Sequence, residues 1–382
     1  MLNTLNRKIQ KHINEILANQ SDPFYLYDSS VIRYNCSQIL NIPYKNKSIH
    51  FAAMANDNPT FLKIIKSEGL GIFVNSIPHL KLAVRLGFKP EKIIFAASAM
   101  SQSAMQQVYK AKATLVLDSI LQLRLWHKLY PKERVAIRCN IGEMVKPKRT
   151  RGGYFIGKES RLGLDLEEIK SIYESDMICG IHVYVGTDIL DVNYFLRCYK
   201  AILSIAKGFP SLKFIDFGGG FGITEYEQFN FFEYGNKLSE IIERFSKNTK
   251  KTIKLILEPG RIIGGKSGYF IAVVNDVKMR NGRQLIGLNA SSVQFPRPLF
   301  YPEEGIHPVR IIGKINNRKK STISSDIYGC STYSRDFLAK DIVCSEVSIG
   351  DVVVFLNAGS YCASSFTNFL GFEKPKEYFC GD

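Results

Sequence analysis

Eight short apolar segments, separated by amphipathic helical patterns, occupy the chain between Ser48 and Gly260. They are rich in β-branched residues and read, in order, IHFAAM, GIFVNS, KIIFAAS, TLVLDS, RVAIRCN, ICGIHVYV, LKFIDFG and IKLILEPG. Between them, sequences such as PTFLKIIKSEG repeat apolar residues every three or four positions, which is typical of helices with one buried face. Near-continuous apolar strands joined by helices indicate a parallel sheet covered on its outer side. Eight such units in a row favour a closed (β/α)8 barrel of the TIM type over an open sheet.

The pattern changes after Gly268, where short strands replace the strand–helix alternation. YFIAVVNDVKM and QLIGLNAS flank the residues Arg280-Asn281-Gly282-Arg283, and Asn-Gly between two apolar strands predicts a β-hairpin. VRIIGKI and DVVVFLNAG follow, and the early segment FYLYD is also strand-like and could pair with this β region. We therefore predict an N-terminal segment that contributes to a β domain, a barrel, and a mostly β C-terminal domain, over residues 1–44, 45–267 and 268–382.

The composition is that of a globular chain, with 45% hydrophobic and 23% charged residues. No apolar run approaches the length that crosses a bilayer, and the N-terminus does not read as a signal peptide, so we expect a cytoplasmic protein without membrane contact. The eight cysteines show no CxxC pair and no Cys/His ligand spacing. We expect them to be reduced, and we expect no metal site.

The formal net charge is +16, which raises the question of an acidic partner. Nucleic-acid binding usually concentrates such charge on one element, whereas the lysines here are spread along the chain, so we predict no nucleic-acid partner. One run stands out: Lys146, Lys148, Arg149 and Arg151. It is a solvated loop, a lid over an anionic ligand, or a docking site for an acidic partner protein.

Two adjacent strands end in features that suit a phosphate group. The seventh is followed by DFGGGFG, which contains Gly219 and Gly220, and the eighth by EPGR, which contains Gly260 and Arg261. Glycines allow backbone N–H groups to approach an anion, and Arg261 adds a fixed positive charge. Neighbouring strand ends of this kind form the usual phosphate pocket of a barrel.

Glu258 is a carboxylate at the end of a core strand, where burial is costly without a partner. A protonated pyridine nitrogen would be such a partner. The alternative is a salt bridge to Arg261 or to another arginine.

Together these motifs resemble those of the fold type III pyridoxal-phosphate-dependent decarboxylases, which act on ornithine, diaminopimelate or arginine and share an alanine racemase-like barrel. The resemblance covers nearly the whole chain and includes PFYLYD, VLDS, SRLGL, DFGGGFG, EPGR, RPLFY, a degenerate GCSTYSRD, FLAKD and NAGSY. It implies a homodimer that binds pyridoxal phosphate at sites on the dimer interface.

The resemblance also implies a role for each matching residue. The cofactor phosphate would be held by Thr187, Gly219, Gly220, Gly260, Arg261 and Tyr361. Glu258 would face the pyridine nitrogen, with Arg138 supporting it, and Arg297 and Tyr301 would contact the substrate carboxylate or the phosphate side. Asp336 would reach across the interface into the partner's site.

The chain departs from this family where the chemistry takes place. The family pattern tyrosine-alanine-x-lysine-alanine-asparagine becomes Phe51-Ala52-Ala53-Met54-Ala55-Asn56, so Met54 stands where a lysine attaches the cofactor, and methionine has no amine. Other replacements accompany it: Phe73 for an aspartate, His79 for a glutamate, Met100 for a lysine, Tyr184 for the histidine that stacks on the cofactor ring, Thr332 for a cysteine and Tyr333 for a substrate-binding acid.

Three functions remain open at this point. The first is a decarboxylase-like enzyme that binds pyridoxal phosphate non-covalently and acts on a small amino acid or a derivative, including one carried by an acidic carrier protein. The second is a pseudoenzyme that pairs with an active homologue as a regulatory or partner subunit. The third is an enzyme that uses another phosphorylated ligand. Tyr333 disfavours diaminopimelate as substrate, because the acidic partner of its distal ammonium is absent.

Overall fold

The computed structural model describes residues 5–150, 153–224, 229–303, 305–313 and 322–381. Arg151, the last member of the basic run, lies outside these residues. The chain divides into two compact units, Arg33–Ile263, and Met1–Ile32 together with Gly264–Asp382.

Within the described residues the strands are β1 (Phe24–Asp28), β2 (Lys47–Ala52), β3 (Gly71–Val74), β4 (Ile93–Ala96), β5 (Thr114–Leu117), β6 (Val135–Arg138), β7 (Ile178–His182), β8 (Phe214–Asp216), β9 (Lys254–Leu257), β10 (Gly268–Arg280), β11 (Arg283–Leu288), β12 (Val309–Ile312), β13 (Thr322–Tyr328), β14 (Phe337–Ser345), β15 (Val352–Phe355) and β16 (Lys376–Cys380). The helices are α1 (Arg7–Leu17), α2 (Ser29–Leu40), α3 (Pro59–Ser67), α4 (Ile77–Arg85), α5 (Gln102–Lys110), α6 (Ile120–Leu129), α7 (Leu166–Ser171), α8 (Val192–Ala206), α9 (Phe231–Thr249), α10 (Arg261–Gly264) and α11 (Arg297–Phe300).

The first unit is a closed barrel in which β2 to β9 pair in sequence order. All the pairs are parallel, and β9 closes the barrel on β2 through the register Ser48↔Ile256. The eight apolar segments predicted as strands are these eight strands, so the barrel prediction is confirmed.

Small and large side chains together fill the barrel interior. Ala52, Ala96 and Ala136 share one buried cluster with larger side chains such as Phe73. At Gly180 a Cβ atom would lie 2.1 Å from the ring of Phe214, so only glycine leaves room for that ring. Close packing of this kind makes the barrel a filled core and not a pore.

Serine side chains fix the start of three barrel helices immediately after the preceding strands and their loops. Ser76, Ser101 and Ser119 each accept a hydrogen bond from the backbone N–H three residues later, at the first turns of α4, α5 and α6. Such caps satisfy N–H groups that have no partner inside the helix, and each typically contributes about 1 kcal/mol. The loops between strand and helix are therefore short and well defined at these positions.

The second unit is built on an eight-stranded sheet, with the order β12-β15-β10-β11-β13-β14 and with β1 between β10 and β16. The predicted hairpin is confirmed, because Arg280 pairs with Arg283 across a turn in which Asn281 and Gly282 both have positive φ. FYLYD is β1, and it pairs with β10 and β16 of this unit. α1 packs on the sheet through Ile9 and Ile13.

Among the described residues, no helix is both long enough and apolar enough to cross a membrane.

Candidate functional site

Three ionisable side chains meet at the carboxyl ends of β7, β8 and β9. His182 and Asp216 are the last residues of their strands, and Glu258 follows β9 directly. All three are buried, and one potential ligand atom from each lies within 4.8 Å of the others. His182 Nε2 is 3.4 Å from Glu258 Oε2. The barrel therefore brings an imidazole and two carboxyl groups together at the face where barrel enzymes hold their active sites.

Burial sets the protonation of this trio. It raises the pKa of Glu258 to about 7. It also raises the pKa of Asp216 well above its ordinary value, and the neighbouring Glu258 carboxylate adds to that increase. Burial lowers the pKa of His182 to about 4. At neutral pH the imidazole is therefore uncharged and Glu258 carries part of a negative charge, while Asp216 keeps its proton to a higher pH than an ordinary aspartate does.

The carboxyl groups of Asp216 and Glu258 hydrogen-bond to each other, whereas His182 Nδ1 is a buried polar atom without a hydrogen-bond partner among the described residues. Arg138 Nη2, at the end of β6, shares this property. A buried polar atom without a partner typically costs about 1–3 kcal/mol, so such atoms concentrated at one site indicate that a polar ligand satisfies them. The Arg138 guanidinium favours the ionised form of Glu258 and works against a divalent cation at this position.

The glycines after β8 allow three loops to lie in backbone contact. A Cβ on Gly219 would lie 2.2 Å from the carbonyl oxygen of Glu258. A Cβ on Gly220, whose φ is +96°, would lie 2.0 Å from the carbonyl oxygen of Gly186. The glycines are thus required for packing between the loops as well as for any approach of an anion.

The same loops present backbone donors. The N–H groups of Gly219, Gly220 and Gly260 donate no hydrogen bond to another described residue. Converging N–H groups in glycine-rich turns form concave sites for anions. These residues therefore fit a phosphate group.

Arg261 lies beside this loop cluster and is held in place by a buried carboxylate. Its Nε atom is 2.6 Å from Asp188 Oδ1, and both side chains are nearly inaccessible. Glu258 Oε2 lies 3.4 Å from His182 Nε2, and within the described residues Glu258 forms no salt bridge with an arginine. The alternative of a salt bridge between Glu258 and Arg261 is therefore wrong, because the shorter bond to Asp188 takes the guanidinium in another direction.

Tyr184 and Thr187 lie on the loop that follows β7. The Tyr184 hydroxyl is 2.8 Å from Thr187 Oγ1, and the guanidinium carbon of Arg138 lies 5.9 Å from the Tyr184 ring centroid. The Thr187 N–H donates to Thr150 Oγ1 at 3.0 Å. The structure thus places Tyr184 in contact with both Thr187 and Arg138, and their roles toward a cofactor stay a prediction.

A second set of polar residues lies next to Met54, which follows β2 and is 39% exposed. Asn75 Nδ2 lies 3.9 Å from the Met54 sulfur, and Asn75 Oδ1 lies 3.3 Å from His79 Nδ1. The other nitrogen of the ring, His79 Nε2, is 3.7 Å from Asp57 Oδ2. Met54 therefore stands at one end of a polar chain that runs through Asn75 and His79 to Asp57.

The remaining predicted residues belong to the β unit. Arg297 is buried with its guanidinium carbon 5.5 Å from the ring of Tyr301, and Tyr333 packs edge-on against Phe369. Tyr361 has a φ of +57°, which is uncommon for a bulky residue. Thr332 is exposed.

Asp336 is buried within its own unit, where Ser291 Oγ, Ser292 N–H and both the N–H and Oγ of Ser331 donate to its two oxygens. The carboxylate therefore orders the loop that carries Thr332. A contact from Asp336 across a dimer interface stays a prediction.

Several residues of the site were not identified from the sequence. His182 and Asp216 lie inside the quoted motifs, yet no role was assigned to either, and Asp57, Asn75 and Asp188 were overlooked. A usable signal existed for two of them, since a polar residue that ends an apolar barrel strand points to the functional face. For the other three the partner is distant in sequence, and only the folded chain shows it.

Comparisons with known proteins agree on one family. Diaminopimelate decarboxylase from Aquifex aeolicus is 28% identical over 366 residues, which cover 91% of this chain and 84% of the relative. L-glutamyl-[BtrI acyl-carrier protein] decarboxylase from Niallia circulans is 26% identical over 395 residues, which cover 96% and 91%. The crystal structure of diaminopimelate decarboxylase from Helicobacter pylori complexed with L-lysine shares the fold, with a TM-score of 0.86, 23% identity, and coverage of 96% of this chain and 94% of that one.

The sequence model described as "Pyridoxal-dependent decarboxylase, pyridoxal binding domain" matches residues 32–265, the segment that contains the whole barrel. On this match, the chain belongs to the pyridoxal-dependent decarboxylase family.

Proposed function

We propose that this protein binds pyridoxal phosphate without a covalent bond and acts as a decarboxylase-like enzyme on a small amino acid or an amino-acid derivative. The observation that carries the proposal is the buried carboxyl group of Glu258 at the carboxyl end of β9, whose pKa burial raises to about 7. A protonated pyridine nitrogen supplies a hydrogen bond and a positive charge that favour the ionised form of this buried carboxyl group.

In this proposal Glu258 holds the ring nitrogen in its protonated form, and Arg138 favours the ionised form of Glu258. The N–H groups of Gly219, Gly220 and Gly260 bind the phosphate with Arg261, which Asp188 orients. Thr187 adds a hydroxyl group, and the family resemblance also assigns Tyr361 to the phosphate. When bound, the cofactor supplies an electron sink for the bond that breaks at the substrate α-carbon.

Met54 sets the expected kinetics. A methionine offers no amine to attach the cofactor or to displace the product, so we expect loading to be reversible and turnover to be slow. His79 is the residue near Met54 best placed to move a proton, because Asp57 and Asn75 lie within reach of its two nitrogens. Imidazole is the side chain that most often performs this task near neutral pH.

Two observations bear on the class of substrate that we propose. Tyr333, packed against Phe369, provides a phenol and no acid, which disfavours diaminopimelate. The relative from Niallia circulans is named for a glutamyl group attached to an acyl-carrier protein. We include an amino acid tethered to a carrier protein in the proposed class for this reason.

The test is the absorbance spectrum and native mass of the purified protein with and without added pyridoxal phosphate. We expect a bound cofactor that leaves on denaturation, and we expect Arg261→Ala to weaken its binding by at least tenfold. Arg85→Ala, which removes an exposed arginine at the end of α4, is the matched control and should bind normally. Folding of both variants is checked by circular dichroism. Unchanged binding in a folded Arg261→Ala protein would show that the phosphate site has been assigned wrongly.

A second candidate is a partner subunit for an active homologue, and Met54 favours it because the chain lacks the attaching amine. Native mass spectrometry of this chain mixed with a lysine-containing homologue tests it. Mixed dimers together with no cofactor binding by this chain alone would favour this candidate over the first.

A further inference from the structure

The connection between β6 and α7 is long, and its described residues, 139–150 and 153–165, form a defined structure. Asn140 holds its two ends together: its Oδ1 accepts from the N–H groups of Gly142 and Gly157 at 3.1 and 2.6 Å, and its Nδ2 donates to the Gly157 carbonyl at 3.0 Å. A Cβ on Gly142 would lie 2.1 Å from Gly157, so the two arms are in direct backbone contact. Residues 142–150 and 153–157 therefore belong to a loop whose two ends are bonded together at the barrel. We call this loop the excursion.

This excursion is attached to the loop that carries the proposed phosphate ligands. Thr150 Oγ1 accepts the N–H of Thr187 at 3.0 Å, and the ring of Phe155 packs edge-on against Tyr184 at 4.9 Å. The Lys148 ammonium lies 5.8 Å from the ring centroid of Tyr194 on α8. The excursion thus lies beside the mouth of the site, at the carboxyl face of the barrel.

The outer side of the excursion is positively charged. Lys146, Lys148 and Arg149 are exposed, and none forms an ion pair with a residue that the structure describes. The guanidinium carbon of Arg197, on α8, also lies near Tyr194, 5.9 Å from the ring centroid, and Arg197 Nη2 is 3.7 Å from Asp191 Oδ2 in a largely exposed ion pair. We call these four residues the basic surface.

Exposed apolar groups accompany the charges. Met144 is 40% exposed and Tyr154 is 39% exposed, and both belong to the same excursion. Cations next to an exposed methionine and tyrosine suit a folded acidic protein, since such surfaces combine electrostatic steering with a small apolar contact. Nucleic acid is disfavoured, because its affinity comes largely from the number of phosphates that a protein neutralises, and this surface offers only four cations, one of them paired with Asp191.

We infer that the basic surface docks an acidic carrier protein, which presents its tethered amino acid to the mouth of the barrel. This inference deepens the proposed function and rests on it for the identity of the cargo. The placement gives the physical reason: the cations lie on a fixed excursion bonded to the loop of Thr187, so a protein bound there is held next to the site. Steering between opposite charges raises the association rate and falls with ionic strength.

The experiment is titration of the full-length protein with a purified holo-acyl-carrier protein of net negative charge, followed by fluorescence anisotropy at 50 mM and 300 mM salt. Binding needs neither cofactor nor turnover, so its failure is separable from failure of the proposed function. The test variant is Lys146→Glu/Lys148→Glu/Arg149→Glu. The matched control is Lys63→Glu/Lys81→Glu/Arg124→Glu, which makes the same change of charge at exposed positions on α3, α4 and α6 of the same unit.

We expect the wild type to bind more weakly at the higher salt concentration, the test variant to lose at least tenfold in affinity, and the control to lose less than threefold. Equal losses in both variants would overturn the inference, because only net charge would then matter. No binding by a folded wild type would overturn it as well. So would tighter binding of a 20-nucleotide RNA to the same surface, since it would assign the basic surface to nucleic acid.

Discussion

Glu258 is the residue whose chemistry is most altered by the fold. Its pKa is raised to about 7 because burial removes water from the carboxylate, while the Arg138 guanidinium opposes the shift without cancelling it. A folded-state pKa above the unfolded value of 4.5 means that the folded protein retains a proton that the unfolded chain releases. Stability from this group is therefore present at low pH and is lost as the pH rises from about 4.5 towards 7.

This shift predicts the pH dependence of a substitution. In the cofactor-free protein, the free energy of unfolding of the wild type relative to Glu258→Gln should fall by about 3 kcal/mol as the pH rises from below 4.5 to above 7, since one unit of pKa corresponds to about 1.4 kcal/mol. Urea denaturation of both proteins across this range measures it. Glu240→Gln, at an exposed position on α9, should show no such trend. A flat difference for Glu258→Gln would mean that the carboxylate is hydrated.

Met54 yields a second prediction at the level of one residue. Met54→Lys should form a covalent adduct with added pyridoxal phosphate that borohydride makes permanent, because the side chain lies at a strand end of the same barrel and regains an amine. Intact mass after reduction measures it. Met144→Lys is the matched control, since the two methionines are 39% and 40% exposed, and it should give no adduct at an equimolar ratio. Equal labelling of both variants would place Met54 outside the cofactor site.

Among the elements, the loops after β7, β8 and β9 act as one unit because their backbones touch. Gly219 lies against Glu258 and Gly220 against Gly186, so none of the three loops can shift alone. The glycine run is visible in the sequence, and its interpretation as a phosphate loop considered only the approach of an anion to the backbone. The glycines are also required for close packing between the loops, and this packing involves residues about 35 positions away in either direction.

Gly220→Ala tests this coupling. Its Cβ would meet the Gly186 carbonyl at 2.0 Å in a backbone with φ of +96°, so the loops must separate and we expect at least a tenfold loss of cofactor affinity. Gly69→Ala is the control: its φ is +80° and no atom lies within 4 Å of the added Cβ, so it bears only the backbone strain. Fluorescence titration with pyridoxal phosphate compares the two. Similar affinities in both variants would show that the contact with Gly186 does not organise the site.

At the scale of the whole molecule, the proposed dimer is the main prediction. Thr332 lies on an exposed loop that the buried Asp336 holds in place through Ser331, which suits a surface that meets a second copy. Light scattering at micromolar concentration should give twice the chain mass of 43.2 kDa. Thr332→Arg should raise the dissociation constant at least tenfold, whereas Thr60→Arg, at an exposed position on α3, should not. A monomeric wild type would contradict the prediction.

The sequence by itself determined the barrel, the hairpin and the family. Strand periodicity, turn residues and ordered motifs are local, and each of the eight apolar segments carries its own signal, as GIFVNS does for β3. The conversion of these signals into one fold needs only that buried strands pair and their helices cover them.

Only the tertiary structure decided which polar groups act on one another. Arg261 pairs with Asp188, whereas Glu258 lies beside His182 and Asp216. Met54 is connected to Asp57 through contacts with Asn75 and His79. A hydrogen bond links the excursion to the loop of Thr187. Hydrogen bonds and pKa shifts depend on distances of a few ångströms and on the exclusion of water. Both are set by how distant segments pack, which no local pattern in the sequence encodes.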